Sequence, residues 1–145
     1  MRIGWAAAML LVATPAAAQS LSPAEKLIDR TVDARFEASV ALLQKLVDQN
    51  SGTLNLEGVT KVGAMMRAEL EPLGFTVTWK PMAEVGRAGH LIAVHKGKPG
   101  RKRILLIGHL DTVFEPSSPF QKFVRKGDKA EGPGAGDDKG GMVVI

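Results

Sequence analysis

The chain has 145 residues, a formal net charge of +4 and no cysteine. Its length is enough for one ordinary domain with its own core, and its weak positive charge does not by itself indicate a nucleic-acid-binding protein. The lack of cysteine excludes disulfides and thiolate ligands, so any metal site must use histidine and carboxylates.

The first 18 residues have the pattern of a secretory signal peptide. Arg2 is the only charge before Glu25, residues 3–13 are apolar, and small residues surround a cleavage point after Ala18. The apolar segment is shorter than the ~20 residues of a bilayer span, which makes an uncleaved anchor the weaker alternative. We predict cleavage, a periplasmic or secreted location and no stable membrane insertion, with residues 19–145 forming the mature chain.

Two amphipathic helices are predicted next. Ser22-Pro-Ala-Glu25 is a capping box with proline at the first helical position, and apolar residues at helical spacing continue to about Gln49, with a break near Thr31 left open. The second helix ends at Gly74 as a left-handed cap, and its apolar stripe comprises Val59, Val62, Met66, Leu70 and Leu73.

Strand patterns follow the helices. Strands are predicted at 75–79, 91–94 and 103–107, the last as the buried middle of a sheet, with a loop over 81–89. Segment 96–103 is basic, but its Pro-Gly turn and lack of aromatic residues favour a solvated hairpin loop over a nucleic-acid patch. A short strand at 123–125, a turn, and a helix starting after Lys139 complete an α/β fold.

Two polar motifs interrupt these elements. His109 and Asp111 directly follow the run Ile104–Gly108, and alternation along an extended backbone would point both side chains to the same side. Without the second motif, the favoured interpretation of His109 is a strand-end histidine capped by water or a backbone carbonyl. His90 and His95 lack a suitably placed acidic residue and are predicted to be surface or structural histidines.

The second motif is Gly132-Pro-Gly134-Ala-Gly-Asp137-Asp138-Lys139-Gly-Gly141. It differs from a dinucleotide fingerprint, which needs a third glycine at the position of Asp137, and from a phosphate-binding loop, which needs Gly-Lys-Ser/Thr. Two carboxylates would also repel a pyrophosphate. The glycines instead allow a sharp bend that would bring a carboxylate towards the end of a neighbouring strand.

Taken in order, His109-x-Asp111-Thr-Val and the glycine-rich double aspartate resemble the co-catalytic zinc peptidases of the aminoacylase and glutamate carboxypeptidase superfamily. The resemblance runs from about Val40 to the end of the chain. It implies the N-terminal portion of a catalytic domain with a mixed sheet flanked by helices. By position, His109 would bind one zinc ion, Asp137 would bridge two, and Asp111 would act in catalysis by orienting His109. The Asp137–Asp138 peptide bond would be cis.

Pro133 and Asp138 make the motif similar to that of the bacterial glutamate carboxypeptidases. The resemblance therefore implies hydrolysis of an amide bond by a water activated between two zinc ions, with release of C-terminal glutamate from a peptide or N-acyl amino acid substrate. Cobalt or manganese could replace zinc, because these ions share the same ligands. A dipeptidase or an N-deacylase of the same superfamily is the alternative enzyme.

In that family, the general-base glutamate and the remaining metal ligands come from later in the chain. A lid domain that often mediates homodimerisation also lies there. We therefore expect the sequence to be an N-terminal fragment in which the 145 residues alone bind metal poorly and are inactive. A non-catalytic remnant or an interaction module is the rival interpretation.

Overall fold

The computed structural model of the chain describes residues 20–145, so the predicted signal peptide lies outside the described residues. The chain divides into two units, Met1–Ala34 and Arg35–Ile145. Within the described part, no helix has the length and apolar character needed to cross a membrane.

The elements in chain order confirm a mixed α/β fold. They are α1 (Pro23–Asp48), α2 (Leu56–Leu70), β1 (Thr76–Met82), β2 (Arg87–Val94), β3 (Val124–Lys126), β4 (Lys129–Glu131) and α3 (Lys139–Val144). The strands form two antiparallel hairpins, β1 with β2 and β3 with β4.

Helix α1 begins at the predicted capping box. The Ser22 amide donates to Glu25 Oε2 over 2.7 Å, and the Glu25 amide donates to Ser22 Oγ over 3.3 Å. The helix continues without a break at Thr31, whose hydroxyl donates to the Leu27 carbonyl inside the helix. The first unit thus contains the N-terminal part of α1, where Leu27, Ile28 and Val32 are exposed.

The second unit contains the core, which is small and mostly helical. Leu46 of α1, Val62 and Met66 of α2, and Met142 of α3 form its buried cluster. Hairpin β1–β2 lies against α2, where Arg67 donates to the Val77 carbonyl over 2.9 Å. The apolar stripe predicted for α2 is confirmed except at Leu73, which is exposed in a 3-10 turn after the helix. Gly74 is the predicted left-handed cap, with a φ of 86°.

The first hairpin is longer than predicted. Residues 81–82 and 87–89 were expected in a loop, but Pro81 pairs with Gly89 within the ladder, and the register shifts only after Pro81. Because β1 has β2 as its single described neighbour, Pro81 lies in an edge strand, where its missing N–H can be tolerated. The loop prediction for these residues was therefore wrong.

The predicted strand at 103–107 was also wrong. Residues 104–107 are not assigned to a strand, and Ile104 and Leu105 are 85% and 80% exposed. A run buried in a sheet needs paired strands beside it, and among residues 20–145 neither hairpin provides one. The run instead borders an apolar groove of about 680 Å³ that is also lined by α2 and β2.

Candidate metal centre

The segment after α1 runs beside the segment that carries His109 and Asp111. Gly52 and Thr112 form a parallel bridge, in which the Thr112 amide donates to Ser51 O over 2.8 Å and the Thr53 amide donates to Thr112 O over 3.0 Å. The second predicted motif enters this region through the turns before α3. Three separate parts of the sequence therefore meet at one place.

His109 lies between the two carboxylates predicted to accompany it. Its Nε2 is 2.9 Å from Asp137 Oδ1. On the other side of the ring, Nδ1 is 2.9 Å from the Asp111 carbonyl oxygen and 3.3 Å from Asp111 Oδ1. The structure thus brings His109, Asp111 and Asp137 together, while their functional roles stay predictions.

The charges at this place are accessible to solvent. The His109 side chain is 47% exposed and that of Asp137 is 92% exposed. The hydrogen bond to Asp137 raises the pKa of His109 above its ordinary value, and the Asp111 carbonyl acts in the same direction against partial burial. Nε2 binds a metal ion only when it carries no proton, so a cation that binds Nε2 must displace the proton there.

The two donors, His109 Nε2 and Asp137 Oδ1, are of the types that zinc binds. Zinc accepts imidazole nitrogen and carboxylate oxygen at 2.0–2.2 Å, and two such donors on a tetrahedral ion lie ~3.3 Å apart. Nε2 and Oδ1 are 2.9 Å apart, and the exposed Asp137 carboxylate can move the remaining distance. Within residues 20–145, no group of three or more histidine, aspartate or glutamate side chains is arranged to hold a metal ion.

The predicted cis peptide bond between Asp137 and Asp138 is present in the structure. The Asp138 carboxylate is directed to the end of the 104–108 run, where the His109 amide lies 3.4 Å from Oδ2. A Cβ at Gly108 would lie 2.6 Å from Oδ2, so any other residue there would displace the Asp138 carboxylate. This arrangement leaves Asp137 as the aspartate that faces His109.

Gly134 adopts a left-handed backbone conformation in the glycine-rich turn. It has a φ of 75°, and a Cβ there would lie 2.8 Å from Thr112 Cγ2. The turn therefore packs directly on the segment that follows Asp111.

Two side chains that sequence reasoning did not assign make long-range hydrogen bonds beside the centre. Lys139 is fully buried, and its ammonium group donates to the Leu46 and Gln49 carbonyl oxygens at the C-terminal end of α1, over 2.7 and 3.0 Å. Thr53 donates from Oγ1 to Asp111 Oδ2 over 2.7 Å. Their partners are 93, 90 and 58 residues away, so no local pattern marks them.

A cavity of about 380 Å³ opens beside His109 and Asp137. Phe114 and Phe120 lie on its wall and contact each other edge to face, with ring centroids 4.9 Å apart. Backbone of the glycine-rich turn lines another part. An apolar wall next to a few convergent polar groups is typical of a small-molecule site.

His90 and His95 lie away from this cavity, in β2 and just after it. Both are exposed, and the His95 ring contacts Phe75 edge to face. Their prediction as surface or structural histidines agrees with these positions.

Comparison with known proteins supports the motif-based resemblance. No protein-family model matches the chain. Over 112 residues, or 74% of this chain, it is 41% identical to carboxypeptidase G2 of Pseudomonas sp. (strain RS-16). The matched region corresponds to 26% of that protein's length. The chain is therefore a relative of carboxypeptidase G2 that spans about a quarter of its length, which confirms the resemblance predicted from the two motifs.

Proposed function

We propose that this chain supplies part of the active site of a metal-dependent carboxypeptidase that hydrolyses an amide bond. The observation that carries the proposal is the convergence of His109 Nε2 and Asp137 Oδ1, with Asp111 behind the imidazole, in a relative of carboxypeptidase G2. The finer part of the proposal is that two zinc ions bind and that the released residue is a C-terminal glutamate of an N-acyl substrate.

His109 and Asp137 would hold the metal through Nε2 and a carboxylate oxygen. Zinc bound there would supply Lewis-acid activation of a water molecule and of the amide carbonyl. Nδ1 would donate to the Asp111 carbonyl oxygen at 2.9 Å, with the Asp111 carboxylate at 3.3 Å, and these contacts direct Nε2 outward and favour its binding to a metal ion. Asp137 has a second carboxylate oxygen and is almost fully exposed, so it can contact a second ion.

The cavity beside these residues supports a substrate with an apolar or aromatic acyl part. Phe114 and Phe120 offer the apolar wall, and His109 and Asp137 define the polar end where the scissile amide would lie. No charged side chain that could recognise a substrate carboxylate lines this cavity within the described part of the chain. The preference for glutamate therefore depends on the similarity to bacterial glutamate carboxypeptidases.

The test is an amide-hydrolysis assay of the complete gene product that contains this sequence. N-acyl glutamate, N-acetyl ornithine and simple dipeptides are compared with and without added zinc, cobalt or manganese. We expect metal-dependent release of glutamate, and a loss of at least about 100-fold in kcat/KM for His109→Ala. His90→Ala is the matched control, because His90 is exposed and lies outside the cavity near His109 and Asp137.

The other outcomes separate the rival functions. Faster hydrolysis of N-acetyl ornithine or dipeptides would identify an N-deacylase or a dipeptidase. Equal rates on all three substrates would contradict the glutamate preference. No metal-dependent hydrolysis of any of them would favour a non-catalytic interaction protein and refute the proposal.

We also propose export to the periplasm or the medium, on the basis of the sequence of residues 1–18. Expression of the complete gene in a Gram-negative host, followed by fractionation and N-terminal sequencing, tests this. A mature protein starting at Gln19 is expected. An intact N-terminus in the cytoplasmic fraction would contradict it.

A further inference from the structure

The loop between α1 and α2 is fixed against the site by side chains as well as by its parallel bridge. Asn50 donates from Nδ2 to Gln121 Oε1 over 2.7 Å and to the Phe114 carbonyl over 2.9 Å. Glu115 Oε1 accepts from the Leu54 amide over 3.0 Å. These contacts bracket Thr53 on both sides, so its side chain has a defined place next to Asp111.

The Asp111 carboxylate is contacted on both oxygens. Oδ1 is 3.3 Å from His109 Nδ1, beside the Asp111 carbonyl oxygen at 2.9 Å from the same nitrogen, and Oδ2 accepts from Thr53 Oγ1 over 2.7 Å. The same hydroxyl lies 3.2 Å from the Thr112 carbonyl, the longer of its two acceptor distances. Because a carboxylate rotates as a plane, fixing Oδ2 also sets the direction of Oδ1 towards the imidazole.

We propose that Thr53 is a positioning residue of the candidate metal centre. Its hydroxyl holds the Asp111 carboxylate, Asp111 holds the His109 ring through Nδ1, and Nε2 is thereby kept directed at Asp137. The part of this inference that concerns metal rests on the proposed function. Thr53 itself is two side chains away from Nε2 and has no contact with a reacting group.

The experiment uses three substitutions in the 145-residue chain. Thr53→Val removes the hydroxyl at nearly constant shape, Thr53→Ser keeps it, and Thr60→Val is the matched control. Thr60 lies in α2, and its hydroxyl donates within the helix to the Leu56 carbonyl. Loss of the hydrogen bond should affect Thr53→Val and spare Thr53→Ser. A general folding defect would not separate the two variants in this way.

Zinc binding is followed at fixed pH by the shift of the His109 ring protons in an NMR titration, which measures weak as well as tight binding. His90 and His95 serve as internal references. We expect Thr53→Val to raise the dissociation constant about 5- to 10-fold, which is below the ~10- to 100-fold effect of residues that contact a metal ligand directly, because Thr53 acts through Asp111. Thr53→Ser and Thr60→Val should stay within about 2-fold of wild type.

Crystal structures of the metal-free variants give a second measurement that needs no zinc. In Thr53→Val, the Asp111 carboxylate should rotate and Oδ1 should move away from Nδ1, while Thr53→Ser keeps both positions. If wild type shows no zinc-dependent shift at His109 but Asp111 rotates as expected, the positioning role stands without the metal part of the inference, and the assay of the complete gene product decides the proposed function separately. An unmoved Asp111 in Thr53→Val, or equal zinc affinity in wild type and Thr53→Val, overturns the positioning role.

Discussion

Replacing Lys139 with a side chain that cannot donate hydrogen bonds should destabilise the protein, although its ammonium group is buried. The side chain is fully inaccessible to solvent, and burial lowers its pKa from 10.5 to about 8. Two carbonyl oxygens at the end of α1 oppose this effect, because they accept from the charged ammonium. The sign of the net contribution depends on which of the two effects is larger.

The magnitudes favour the hydrogen bonds. A decrease of about 2.5 pKa units corresponds to about 3 kcal/mol against the charged form. Hydrogen bonds from a charged donor contribute roughly 1.5–3 kcal/mol each. Lys139→Met keeps most of the aliphatic volume, so we expect it to lower the free energy of unfolding by about 1–2 kcal/mol. Lys139→Ala also removes three buried methylene groups and should lose about 2 kcal/mol more.

Urea unfolding followed by circular dichroism measures both differences. In wild type, the folded chain binds fewer protons than the unfolded chain between pH 8 and 10.5, so the free energy of unfolding should rise with pH across this window. Lys139→Met should lack this rise. If Lys139→Met is at least as stable as wild type at pH 7, the cost of desolvating the ammonium group equals or exceeds the contribution of its hydrogen bonds, and the reasoning is refuted.

Three further predictions concern the turn, the core and the imidazole. Gly134→Ala should lower the free energy of unfolding by about 1–3 kcal/mol in the same urea assay, because Gly134 has a φ of 75° and a Cβ there would crowd Thr112. Gly136 has open space around it, so Gly136→Ala should change the free energy of unfolding by less than about 0.5 kcal/mol. Val62→Ala, at a fully buried position, should cost about 1.5–3 kcal/mol; a smaller loss in thermal and urea unfolding would show that the cluster is loosely packed. Zinc affinity at His109 should fall as the pH drops, starting above 6.5 because its pKa is raised, and NMR titrations at several pH values would contradict this if the affinity changed only below 6.5.

Local patterns predicted the features whose causes are local. The capping box at Ser22 and Glu25 and the left-handed Gly74 each depend on residues a few positions apart. The meeting of His109 with Asp137, 28 residues later, was predicted from the resemblance of two motifs and not from periodicity.

The failures have a common physical origin in contacts that are distant along the chain. A strand at 104–107 requires a neighbouring strand, and composition alone cannot show whether one is present. Thr53 and Lys139 are ordinary residues by sequence, and their importance arises from partners more than 50 residues away. The predicted loop over 81–89 was wrong at Pro81, because a proline is tolerated in an edge strand and the sequence does not show how the strands pair.

The separation between the parts of the centre also bears on how the chain folds. Thr53 and Asp111 are 58 residues apart and His109 and Asp137 are 28 apart, whereas the β3–β4 hairpin closes within a few residues. Closing the longer loops costs more chain entropy and slows their formation. We therefore expect the hairpins to form first during folding and the imidazole to reach its final orientation late. During synthesis, His109 cannot contact Asp137 until Asp137 has left the ribosome, so this contact forms after the β1–β2 and β3–β4 segments have been synthesised.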